Sequence, residues 1–133
     1  LRVCQPRRQR HTAIPHVPPP RAILRLEALG LLVGAVTAYA LLGGSWLWFA
    51  VFLLVPDVSM VGYLVGPKVG AVLYNVGHST LGPLLLLGGA LILGLPQVFV
   101  LAAVIWLAHI GMDRTFGYGL KYASRFTKTH LTG

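Results

Sequence analysis

Three apolar runs, Leu29–Leu42, Leu84–Leu95 and Val98–Ala108, contain no Asp, Glu, Lys or Arg at all. A single small domain has too little interior to hide three such runs from water, because little of its volume lies away from the surface. The solvent around them must itself be apolar. Only 11% of the 133 residues are charged, against about 25% in an average soluble domain. The chain therefore reads as an all-α integral membrane protein.

Turn-forming residues divide the chain into four stretches, each of roughly the 20 residues that a helix needs to cross a bilayer. These are Arg21–Leu42, Trp46 to about Val65, Val69 to about Leu93, and Gln97 to about Thr115, separated by Gly43–Gly44–Ser45, Gly66–Pro67–Lys68 and Gly94–Leu95–Pro96. Pro56 and Pro83 fall inside the second and third stretches and predict kinks there, since proline removes a backbone donor and frees a carbonyl one turn back. The expected fold is a four-span helical bundle over residues 21–133, with a basic tail from about residue 116. Residues 1–20 are basic and proline-rich without an apolar period, and read as a disordered arm. Because the chain opens at Leu1 rather than at methionine, that arm is not counted as a native start.

The charge is +8, from 11 Lys and Arg against 3 Asp and Glu. The basic residues sit at the two ends and at Lys68, while the other two turns carry none. That layout is an orientation signal placing both termini in the cytoplasm, not a nucleic-acid footprint, and no nucleic-acid partner is expected. Arg114, Lys121, Arg125 and Lys128 are expected to meet anionic lipid headgroups at the cytoplasmic face. Gly30 and Gly34 give the first span a small-xxx-small face that suits a homodimer. Cys4 is the sole cysteine, which excludes a disulfide framework and a cysteine-based zinc site.

The polar residues inside the spans carry the functional signal. His109 and Asp113 are four residues apart on one helical face, and Tyr74, Asn75 and His78 share another. Asp57 follows the Pro56 kink, with Tyr63 beyond it, and Glu27 lies one turn inside the first span. At about 1.5 Å per residue, Asp57 lies about 13 Å and His78 about 16 Å from the Gly66–Pro67 turn. His109 is about 9 Å, Asp113 about 3 Å and Glu27 about 6 Å inside their own span ends, on the same side. All five fall in the cytoplasmic half, as members of a shared site would.

Three readings of that site stand side by side. Asp57, His78, His109 and Asp113 offer imidazole and carboxylate ligands suited to zinc, iron or manganese, held between facing helices. Such a centre would make an enzyme, if the chain is one, a metal-dependent membrane hydrolase or oxidoreductase. The same residues could line a proton or small-solute pathway. They could also form a purely structural polar network. Against the metal stands the spacing: there is no HExxH or ExxH pair, and His-x3-Asp alone is a weak signal. Nucleophilic catalysis lacks a GxSxG elbow. Gly117–Tyr118–Gly119 lacks the context of a potassium filter.

From about Leu24 to its end the chain resembles a family of small bacterial integral membrane proteins, domain of unknown function 4260. The match rests on RLEALG, PDVSMVGYLVGPKVGAVLYNVGHS, WLAHIGMDRTFGYGLKY and the closing FTKTHL. The resemblance implies a four-span fold in the bacterial cytoplasmic (inner) membrane and implies no known activity. Its polar motif positions are Glu27, Asp57, Tyr63, Tyr74, Asn75, His78, His109, Asp113, Arg114, Tyr118, Lys121, Tyr122 and His130.

Overall fold

Helix α5, Gln97–Thr115, is the axis on which the other elements pack. It is flanked by α1 (Pro20–Leu41), α2 (Trp46–Leu53) and α4 (Leu81–Ile92). A 3-10 helix, Val55–Leu64, pairs with α3, Pro67–His78. The computed structural model describes residues 20–118, and no strand occurs among them. The arm before Pro20, and the tail with Lys121, Tyr122, Arg125, Lys128 and His130, lie outside the described residues.

Ala35 and Tyr39 of α1 pack against Val104, Ile105, Leu107 and Ala108 of α5 to form the core. Outside that seam the surface is apolar: Leu41, Leu64 and Ile92 are all more than 80% exposed. Such continuous apolar exposure is unsustainable in water and suits a lipid solvent. Three helical stretches are long and apolar enough to cross a membrane: Pro20–Leu41, Trp46–Leu64 and Gln97–Thr115. The pair α3 and α4, bent by 41°, makes a fourth if it counts as one span.

The expected kinks prove to be breaks. α2 stops at Leu53 and the chain tightens into a ten-residue 3-10 helix, far longer than the three or four residues usual for that form. Its three-residue period sorts the side chains into columns. Val55, Val58, Val61 and Leu64 are 50–86% exposed. Pro56, Ser59 and Gly62 face α3, and Asp57, Met60 and Tyr63 form a half-buried third column. The second break comes at Ser79–Thr80, not at Pro83. Pro83 sits in the first turn of α4, where a missing N–H is harmless, but its ring would collide with the carbonyl of Ser79, four residues back, in a continuous helix. Ser79 is accordingly extended, and its Oγ accepts the Leu81 N–H at 3.2 Å.

Two close approaches fix the packing. A Cβ on Gly111 would lie 2.8 Å from the Leu32 nitrogen and 3.0 Å from the Ala28 carbonyl oxygen, so α1 and α5 touch backbone to backbone there. A Cβ on Gly70 would enter the Tyr63 ring, which lies across α3. At the Gly44 end, Tyr39 Oη donates to the Ser45 carbonyl at 2.6 Å and Gln97 Nε2 to the Leu42 carbonyl at 2.8 Å, beside the Tyr39–Trp46–Phe49 ring cluster.

Gly111→Ala should therefore destabilise the fold by about 1–3 kcal/mol through overpacking against rigid backbone. Gly30→Ala, where a Cβ meets nothing within 4 Å, should change stability by less than about 0.5 kcal/mol. Unfolding curves of the detergent-solubilised protein check the pair, and equal stabilities would contradict this packing.

Candidate metal centre

The two breaks and the end of α5 deliver four side chains to one point. Asp57 enters from the first turn of the 3-10 helix and His78 from the last turn of α3. His109 and Asp113 come from adjacent turns of α5. One donor atom from each lies within 4.8 Å of all the others. His78 Nε2 is 3.0 Å from His109 Nε2, 3.2 Å from Asp113 Oδ2 and 3.4 Å from Asp57 Oδ1. His109 Nε2 is 3.4 Å from Asp113 Oδ2 and 3.5 Å from Asp57 Oδ1.

Burial is graded across the group. His109 is fully enclosed and His78 nearly so, while the Asp113 side chain is 16% and that of Asp57 42% exposed. The imidazoles thus form the floor of the centre and Asp57 its open edge.

The surroundings set the proton on His78. Its Nδ1 lies 2.9 Å from the Tyr74 carbonyl oxygen, which can only accept, so Nδ1 carries the hydrogen. In the neutral ring Nε2 is then a lone pair aimed at the other three atoms. Tyr74 also stacks its ring on His78, centroids 3.8 Å apart, and its phenol is a hydrogen-bond partner of Asp113. His109 Nδ1 is buried and makes no hydrogen bond among the described residues. Leu53, at the end of α2, packs against the core formed by α1 and α5.

α5 also seals the broken end of α3. Trp106 Nε1 donates to the Gly77 carbonyl at 2.6 Å, and Arg114 Nη2 to the His78 carbonyl at 3.3 Å. Arg114 is half-buried, and this carbonyl is a partner that its charge alone did not suggest. It shares a helical stripe with Ile110, four residues earlier and 1% exposed, and that apolar partner was the available sign.

The remaining sequence candidates divide as follows. Glu27 is exposed on α1 and stands outside the cluster. Tyr63 packs over Gly70 and Asn75 is half-buried on α3; neither supplies one of the four donor atoms. Gly77 and the backbone of Tyr74 were not singled out, because carbonyls freed by a helix break have no residue-type signature beyond a nearby proline.

Five of the six separations among the four donor atoms are 3.0–3.5 Å, and the sixth, between the two carboxylate oxygens, is within 4.8 Å. For zinc bonded at about 2.0 Å to nitrogen and oxygen, the edge of a tetrahedron is about 3.3 Å. The Tyr74 carbonyl stands where an outer-sphere acceptor would orient a metal-binding histidine.

The family described as Domain of unknown function (DUF4260) matches residues 21–133. No curated protein and no solved structure matches the chain.

Trp106→Phe removes the donor to the Gly77 carbonyl together with the outer part of the indole that rests on Gly82. It should lower stability by about 0.6–2 kcal/mol, the range of interhelical hydrogen bonds in membranes. Thermal unfolding in detergent measures it, and an unchanged midpoint would show that the bond contributes nothing.

Proposed function

The chain belongs to the family described as Domain of unknown function (DUF4260), and we propose that it is a metal-binding, multi-pass protein of the bacterial cytoplasmic membrane. Asp57, His78, His109 and Asp113 hold one divalent ion, zinc, iron or manganese, between the helices.

The observation that carries this reading is the 3.0 Å separation of the two Nε2 atoms. The four donor atoms can turn lone pairs toward one another, two of them on carboxylates, and a cation among them would be attracted to all four at once. Protons on both imidazoles would instead set two N–H groups head to head at that distance. A single N–H···N hydrogen bond between the rings is the account that a structural network gives of the same 3.0 Å.

The exposure of Asp57 favours an open centre over a closed structural one. Catalytic zinc keeps one position for water or substrate, whereas structural sites are enclosed. A bound divalent ion would supply Lewis acidity, suited to hydrolysis of a membrane-soluble substrate. The chain's own groups would hold the ion (Asp57, His78, His109, Asp113) and fix the His78 tautomer (the Tyr74 carbonyl), with Asp57 at the exposed edge where a further ligand would enter.

The finer topology belongs to the same proposal. α3 and α4 form one broken span, giving four, and the Pro20 end, the Gly66 turn and the end of α5 share the cytoplasmic side. The nearness of Arg25 to Gly117, and the placement of Arg21, Lys68 and Arg114 toward that side, support it. Lys121, Arg125 and Lys128 then serve anionic headgroups, and the Gly30–Gly34 face, with nothing within 4 Å, serves a second copy.

Elemental analysis of detergent-purified protein tests the centre. Wild type should carry about one metal ion per chain, and His78→Ala and His109→Ala should lose it while keeping the helical circular dichroism signal. Wild type that remains metal-free after incubation with zinc, iron and manganese salts would sink the proposal. Proton flux into vesicles that is abolished by Asp57→Asn in metal-free protein would favour the pathway reading instead.

A further inference from the structure

The four donor atoms belong to two separate packing units. The 3-10 helix and α3 form a helical hairpin whose halves pack chiefly on each other, whereas α5 packs chiefly on α1, α4 and α2. Glycines bring the halves of the hairpin together. A Cβ on Gly62 would lie 3.3 Å from the Gly70 Cα, and one on Gly77 would lie 3.1 Å from Ser59 Oγ. Each unit therefore fixes one pair of donors. The hairpin sets Asp57 Oδ1 3.4 Å from His78 Nε2, and α5 sets His109 Nε2 3.4 Å from Asp113 Oδ2. The remaining separations depend on how the hairpin is seated against α5.

Two side chains of α5 hold that seat, and both act on the backbone that carries His78. Trp106 Nε1 donates to the Gly77 carbonyl at 2.6 Å, and Arg114 Nη2 to the His78 carbonyl at 3.3 Å. Carbonyls in the last turn of a helix have no partner within it, and α3 ends at His78. The two carbonyls belong to the planar peptide units on either side of the His78 Cα, so holding both sets the direction of its Cα–Cβ bond. The ring is set in turn by Nδ1, which lies 2.9 Å from the Tyr74 carbonyl oxygen. The indole of Trp106 also reaches across the break, since a Cβ on Gly82 would lie 2.7 Å from its outer ring. Along α5 the two donors bracket His109 and Asp113.

We infer that Trp106 and Arg114 are positioning residues of the metal centre, latching the hairpin to α5 and so setting the distance between the Asp57–His78 pair and the His109–Asp113 pair. The inference rests on the metal reading and goes beyond it, since neither residue supplies a donor atom to the cluster. The separations under control of the latch run from one pair to the other. His78 Nε2 is 3.0 Å from His109 Nε2 and 3.2 Å from Asp113 Oδ2, and Asp57 Oδ1 is 3.5 Å from His109 Nε2. Metal–ligand bonds hold to within about 0.2 Å of their ideal lengths, so a hairpin free to shift on α5 loses affinity while each unit stays folded. A purely structural part for the two donors would show in stability alone.

The test titrates zinc into the full chain in detergent and follows binding and thermal unfolding on the same samples. Trp106→Phe and Arg114→Met should each weaken zinc binding by about 10-fold, the lower end of the loss when an outer-shell partner is removed. Tyr39→Phe is the control. It removes a hydrogen bond of the same kind at the Gly44 end of the bundle, from Tyr39 Oη to the Ser45 carbonyl at 2.6 Å. It should lower the unfolding midpoint and leave zinc affinity unchanged. Wild-type zinc affinity in either Trp106→Phe or Arg114→Met would overturn the inference, as would an equal loss of affinity in Tyr39→Phe. A measurement on the wild type decides the matter even where a variant fails to fold. Solid-state NMR of the zinc-loaded protein should place Trp106 ¹⁵Nε1 in hydrogen-bond contact with the Gly77 ¹³C carbonyl, and a missing contact would overturn the inference. All of these results leave the metal reading standing. Wild type that takes up no zinc, iron or manganese would remove the metal reading itself, and this inference with it.

Discussion

Four electron-pair donors drawn together in an apolar interior make up the arrangement around which the rest of the molecule is arranged. Asp57, His78, His109 and Asp113 bring their donor atoms within 4.8 Å of one another, with each histidine 3.0–3.5 Å from the other three. Helix α5 tolerates two of them because it is the most enclosed element, with an unbroken run of buried residues from Leu107 to Gly111. The close contact at Gly111 lets α1 cover the far side of that helix. Enclosure makes the charge balance of the cluster demanding.

Both helix breaks open beside this cluster, at Pro56 next to Asp57 and at Ser79 after His78. Irregular backbone at membrane depth survives only where protein groups satisfy it. Here they do: Ser59 Oγ donates to the Pro56 carbonyl at 2.7 Å, His78 Nδ1 to that of Tyr74, Trp106 Nε1 to that of Gly77 and Arg114 Nη2 to that of His78. The polar side chains that look costly in the sequence are thus of two kinds. Some meet at the centre, and others repair the helices that had to be broken to build it. Ser59, Trp106 and Arg114 belong to the second kind.

Much of this was legible in the residues. Apolar runs specified helices in an apolar solvent, and the four-residue step from His109 to Asp113 placed both on the inner face of α5. Depth counting brought Asp57 and His78 to the same level, which is why the four donor atoms could be anticipated together. The same counting wrongly gathered in Glu27: depth fixes a height but not an azimuth, and α1 turns that carboxylate outward. Proline marked both irregular regions but did not say what form they take. The 3-10 helix was written in the three-residue recurrence Val55, Val58, Val61, Leu64 beside the small column Pro56, Ser59, Gly62, a period that a search for helical or strand repeats passes over.

That recurrence also explains how an ionised carboxylate can stay at the edge of the centre. A 3-10 helix keeps its columns in line, so the most exposed column falls on Val55, Val58, Val61 and Leu64 and not on Asp57. The α-helical spacing of 3.6 residues would rotate successive turns and carry polar positions into the apolar face. Asp57 instead heads a separate half-buried column with Met60 and Tyr63, and Tyr63 is held by its contact with Gly70. The tight helix therefore does what a proline-kinked α-helix could not. It presents a continuous valine and leucine stripe to lipid on one side and a carboxylate to the histidines on another, with only small residues needed between it and α3.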